Sequence, residues 1–90
     1  MMKILYNTTV ANDYTVKYYL TVETESDLSY YGIMITSDKK DTSFSAQISG
    51  IFPYEHNAMK LLTYLYNHSV TPLSMKDAIM EYMDEKFMVV

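Results

Sequence analysis

The stretch YTVKYYLTVE, residues 14–23, sets Tyr14, Val16, Tyr18, Leu20 and Val22 at every second position, with Thr15, Lys17, Tyr19, Thr21 and Glu23 between them. Successive side chains of a β-strand point to opposite faces, so a period of two predicts a strand with one buried face. Beyond the polar break TESDLS, the run YYGIMITS sets Tyr31, Ile33 and Ile35 against Tyr30, Gly32, Met34 and Thr36, which predicts a second strand, hairpin partner of the first. After the solvated turn DKKDT (38–42), SFSAQISGIF alternates Phe44, Ala46 and Ile48 with Ser43, Ser45, Gln47 and Ser49 and reads as a third. Upstream, KILYNTTV (3–10) offers a weaker strand, with Ile4, Tyr6 and Val10 on one parity and Leu5 on the other.

After Pro53 the period changes. Tyr54, Ala58, Leu61, Leu62 and Leu65 stand at i, i+4, i+7, i+8 and i+11, one stripe of an α-helix, with Glu55 suited to the positive end of its dipole and Asn67 and His68 at its end. No capping side chain stands at its start. A second helix follows VTPL. Ser74 is one candidate N-cap, with Asp77 three residues on and Leu73 placed to staple against Ala78; the other is Thr71 with Pro72 at the first helical position. Ala78, Ile79, Tyr82 and Met83 form its apolar stripe, and the helix fades near Phe87. The expected architecture is α+β: an antiparallel meander of three or four strands followed by two helices packed on one face, in a single domain spanning residues 1–90.

Helix, turn, helix is also the outline of a DNA-reading motif. The candidate recognition helix, however, carries Lys76 and Lys86 against Asp77, Glu81, Asp84 and Glu85 and would be repelled by phosphate. The whole chain has net charge −4, a pI near 4.9 and no arginine, the residue that grips phosphate and guanine bidentately. Six acids oppose four lysines before Pro53 and five oppose three after it, so neither half is a charged tail. Direct nucleic-acid binding is not expected. No apolar run approaches the roughly 18 residues that span a bilayer, and the N-terminus lacks the apolar core of a secretory signal, so the expected location is cytoplasmic, without membrane contact. Without cysteine there is no disulfide, thiolate nucleophile or Cys-based metal site.

The segments YYGIMI (30–35), AQISGI (46–51), LLTYLYNHSVTPLSMKDAIMEYM (61–83) and the early YYL (18–20) resemble the pattern of a domain-of-unknown-function family of short proteins from anaerobic Gram-positive bacteria. Those proteins run from a Tyr-Gly-Ile strand to a helix, a Val-Thr-Pro or Val-Ser-Pro turn and a final helix with an early aspartate. The resemblance covers residues 16 to 83 and implies architecture, with Gly32, Pro72 and Asp77 as structural positions. It carries no activity over to any residue.

The residues themselves offer little catalytic chemistry. Gly32 and Gly50 stand alone, so neither a phosphate loop nor a dinucleotide fingerprint exists. His56 and His68 are twelve residues apart on one helix, roughly 18 Å along its axis, too far to share a metal. No serine sits in Gly-x-Ser-x-Gly. Asp77, Glu81, Asp84 and Glu85 form an acidic helix face for which solvation is sufficient explanation. Neither catalytic, metal nor cofactor residues are assigned, and a non-enzyme is expected.

The surplus is aromatic: ten tyrosines, no tryptophan and three phenylalanines, with eight methionines beside them. Tyrosine buries a ring while its hydroxyl stays wet, which suits both a core margin and a binding surface. Tyr14, Tyr18, Tyr31, Tyr54 and Tyr82 share stripes with aliphatic residues and read as core, as do Met75, Met80, Met83 and Met88 along the last helix. Tyr19, Tyr30 and Met34 fall on the opposite parity of two neighbouring strands. They are the candidate partner surface, for a protein partner or a second copy. The alternative is an acidic inhibitor, of the phage anti-defence kind, that mimics nucleic acid through Asp77, Glu81, Asp84 and Glu85.

Overall fold

A computed structural model describes residues 1–87, with side chains as far as residue 84. The connectivity rests on three two-residue turns. Asn12 and Asp13 (φ 53° and 69°) join β1 (Met2–Ala11) to β2 (Tyr14–Glu25), and Ser26 and Asp27 (φ 51° and 68°) join β2 to β3 (Leu28–Lys39). Both central residues of each turn lie in the left-handed region, the geometry whose twist matches the flanking strands and which Asn and Asp tolerate. Lys40 (φ 48°) and Asp41 lead into β4 (Thr42–Phe52). The result is a four-stranded antiparallel meander in the order β1-β2-β3-β4, not closed into a barrel. The upstream run is thus a full edge strand.

Two helices, α1 (Glu55–Asn67) and α2 (Met75–Phe87), roof one face. Tyr18 stands opposite Ile35 and Leu20 opposite Ile33; these four, with Val16, bury against Ala58, Leu61, Leu62 and Leu65 of α1 and Met75 and Ile79 of α2. Each fully buried Leu or Ile contributes about 1.5–3 kcal/mol of hydrophobic burial. Tyr14, Val22, Tyr31 and Tyr82 pack at the margin of this core, as expected from their parity and stripe. Among the described residues, no helix is long and apolar enough to cross a membrane.

The corner between the helices is built by main-chain caps. After the C-cap residue His68, the N–H of Val70 donates to Leu65 O (3.0 Å) and that of Ser69 to Tyr66 O (3.1 Å), a Schellman closure with Ser69 at φ 51°. Pro72–Ser74 then form a 3-10 turn capped by Thr71: the Thr71 N–H donates to the Ser74 hydroxyl (3.2 Å) and the Ser74 N–H to Thr71 O (3.1 Å). Of the two expected starts, the structure has Thr71 as cap with Pro72 at the first position. Ser74 is the third residue of that turn rather than a cap, and Leu73 is 80% exposed instead of stapled to Ala78.

Other expectations are corrected. Val10 is 71% exposed and on the face away from the helices, because Leu5 pairs with Tyr19 but Asn7 with Tyr18. Tyr6 is the extra residue of a bulge, and one extra residue reverses every later side chain on the strand. Tyr6 itself packs on the core, its hydroxyl 3.1 Å from Thr63 Oγ1 and its ring 5.8 Å from Tyr66. Tyr54 is not core: it precedes the first helical residue in extended conformation (φ −121°), is exposed, and stacks on His56. Phe44, on the outermost strand, is 39% exposed, since the helices do not cover the full width of the sheet. Met75 is buried, Met80 is exposed, and Met88 lies outside the described residues.

Candidate functional site

Among the described residues, no helix covers the second face of the sheet. Leu5, Tyr19, Met34 and Gln47 lie opposite one another across β1, β2, β3 and β4 and form a single row on it. Leu5 is exposed, Tyr19 and Met34 are half-buried, and Lys3 Nζ sits 4.8 Å from the centre of the Tyr19 ring. Tyr19 and Met34 are therefore brought together as direct cross-strand neighbours.

Tyr30 is not part of that row. It pairs with Glu23, four residues along β2 from Tyr19, a distance of roughly 13 Å at strand rise. The ground between them is occupied. Tyr31 pairs with Phe52 and Ile33 with Ile48, so three residues of β4, Ser49–Ile51, stand opposite Gly32 alone. This wide bulge folds over the otherwise open face. A Cβ added at Gly32 would meet the Ile48 carbonyl oxygen, Thr21 Oγ1 at 2.8 Å and Ser49 Cα at 2.9 Å. Thr21 is accordingly fully buried on the side without helices, and its hydroxyl has no hydrogen-bond partner among the described residues. Gly50 (φ 61°) covers the stem of Tyr30. The alternation of SFSAQISGIF does not predict this bulge, for which Gly50 inside the strand run is the one local mark.

On α2, Asp77, Glu81 and Asp84 are all exposed on the helix side away from the core. The side chain of Glu85 lies outside the described residues. His56 stacks on Tyr54, while His68 stacks on Tyr64 at 4.2 Å and places Nδ1 2.8 Å from Tyr64 O, so the two imidazoles are engaged separately at opposite ends of α1. Among the described residues no group of three or more His, Asp or Glu side chains is arranged to hold a metal.

A tyrosine hydroxyl is also buried. Tyr18 is fully buried, donates its hydroxyl to Val70 O at 2.8 Å, and meets Tyr66 edge-on at 5.4 Å. Burial, and secondarily the Tyr66 phenol, raises its pKa above the ordinary 10.0. Two open clefts flank Pro72. One, of about 300 Å³, lies between Tyr14, Phe44, Pro72 and Leu73; the other, of about 360 Å³, between Ala46, Ile48, Met75, Ile79 and Met80.

A four-stranded meander roofed on one side by two C-terminal helices defines a small α+β protein. The model of a family of unknown function, DUF6514, matches residues 1–85, and the chain belongs to that family. No curated protein and no solved structure matches the chain.

Proposed function

We propose that this chain is a non-enzymatic protein-interaction module that binds a protein partner through the sheet face opposite its helices. What supports the reading is the row Leu5, Tyr19 and Met34: three apolar or aromatic side chains in cross-strand register on a face no helix covers. Aromatic residues and methionine are enriched at protein interfaces, where they bury large area for little lost conformational entropy. Tyr30, cut off from the row, serves at most its margin.

The test is affinity capture from the native host with the wild type and with the double variant Leu5→Ser/Met34→Ser. Both positions lie outside the helix-covered core, so the variant should unfold at nearly the wild-type temperature while losing a partner the wild type retains. An unchanged set of captured proteins would remove this surface from consideration.

A second reading has its own observation, the exposure of Asp77, Glu81 and Asp84 on one side of α2. An acidic inhibitor would present them to the basic groove of a nucleic-acid-handling protein. Binding to a basic nuclease that weakens steeply with salt and is lost on neutralising these three side chains would favour it over the sheet face.

A further inference from the structure

The two edges of the sheet are guarded differently. β1 carries a bulge at Tyr6 and Lys3 beside it, two devices that discourage another strand from pairing. β4 carries neither over Thr42–Ile48, which pairs with β3 without interruption until the bulge at Ser49–Ile51. From Thr42 to Tyr54 there is no Lys, Asp or Glu, in a chain of net charge −4. The outer side of this strand therefore presents main-chain N–H and C=O groups with no charged side chain of its own, and Lys76 of α2 stands beside it at the cleft that Ala46 and Ile48 line.

We propose that β4 pairs antiparallel with β4 of a second copy of this chain, giving a continuous eight-stranded sheet with the twofold axis at Ser45. The argument for a second copy is electrostatic and geometric. Two chains of charge −4 repel over most of their surfaces, and this strand is an extended segment with no acidic side chain along which the two strands bring no like charges of their own together. The turn at Lys40–Asp41 and the bulge at Ser49 bound a straight segment of seven residues, and only the register centred on Ser45 pairs all seven with themselves.

That register is also consistent in side chains. It sets Phe44 of each copy opposite Ala46 of the other, large against small, and Ser43 opposite Gln47, with every residue facing one on its own side of the sheet. Both sets of helices then lie on the same side. Phe44, 39% exposed, and Met80, 57% exposed, border the seam, and the cleft between Ala46, Ile48 and Met80 is closed by the partner copy. This surface is distinct from the Leu5–Tyr19–Met34 row, so the two proposals fail separately.

The test uses the full chain in sedimentation equilibrium over a concentration series. The wild type is expected to be a dimer, and Ser45→Lys, which sets two like charges face to face on the axis, to weaken association ~100-fold with an unchanged circular dichroism spectrum. Because the chain has no cysteine, Ser45→Cys supplies a lone thiol whose Cα lies about 5 Å from its symmetry mate, within disulfide reach, whereas Ser43→Cys lies roughly 14 Å from its own. Oxidation should therefore cross-link the first variant and not the second. A wild type that stays monomeric overturns the proposal, as does a dimer that Ser45→Lys leaves intact or that Ser43→Cys cross-links equally well.

Discussion

The phenol of Tyr18, in the middle of β2, donates a 2.8 Å hydrogen bond to the carbonyl oxygen of Val70, just past the end of α1. A central strand is thereby tied to the corner that sends α2 back over the sheet. Both groups are buried, so the bond removes a desolvation cost on each side. Tyr18→Phe keeps the ring against Tyr66 and leaves Val70 O without its partner, and it should cost about 1–3 kcal/mol in urea unfolding. Tyr18→Ala, which also opens a cavity, should cost about 3–5 kcal/mol.

The burial of the same phenol sets a pH dependence. The folded-state pKa of Tyr18 is raised, first by burial and then by Tyr66, so the folded chain holds this proton more tightly than the unfolded chain does. Below about pH 10 both states keep the proton and the contribution of Tyr18 is complete. As pH rises past the unfolded value, the unfolded state releases its proton first and stability falls. Unfolding free energies measured from pH 8 to 11.5 should show the advantage of wild type over Tyr18→Phe shrinking above about pH 10. A constant difference across the range would contradict the burial of an un-ionised phenol.

The order of strands and helices was legible because each depends on a local period. Tyr14–Val22 and Tyr31–Ile35 alternate without interruption and fold with the expected face inward. What was not legible depends on the partner strand. Val10 has the parity of Ile4, yet one extra residue at Tyr6 turns it to the opposite face, and nothing local to KILYNTTV announces which residue bulges. Phe44 alternates as cleanly as Ile33, but whether a helix reaches it is decided by the width of the sheet. For the candidate surface, parity alone put Tyr19, Tyr30 and Met34 on one face. The separation of Tyr30 comes from Ser49–Ile51 crossing over Gly32, a relation between residues distant in sequence.

Gly32 is where that crossing is tightest. Any side chain there would enter the main chain of Ile48 and Ser49, which belongs to a paired strand and has little room to retreat. Gly32→Ala should therefore cost about 3 kcal/mol or more, or release the bulge and expose Thr21. Gly50→Ala, strained by its φ of 61° but less crowded, should cost only about 1–2 kcal/mol. Denaturant midpoints of the two variants should rank in that order, with hydrogen exchange at Ser49–Ile51 accelerated in the first.

Thr21 offers the opposite test, a substitution that should do no harm. Its hydroxyl is buried with no partner, against the Cα of Gly32, so the native residue bears a desolvation cost that no bond offsets. Valine has nearly the same shape and no polar atom, and β-branching suits the strand. Thr21→Val should raise stability by about 1 kcal/mol, whereas Thr21→Ala, which leaves a void, should lower it.

Ser69 carries backbone strain that a single substitution can relieve. It occupies the left-handed position of the Schellman closure after α1, where its φ of 51° places Cβ near the following carbonyl. Glycine has no such contact. Ser69→Gly regains the strain of about 1–2 kcal/mol less the greater freedom of glycine in the unfolded chain, for a net gain of about 0.5–1 kcal/mol. Ser69→Val should lose at least as much, because a β-branched residue tolerates this region worst. The two thermal midpoints should bracket the wild type. A destabilised Ser69→Gly would mean that the serine side chain holds the turn by a contact stronger than the backbone closure through Leu65 and Tyr66.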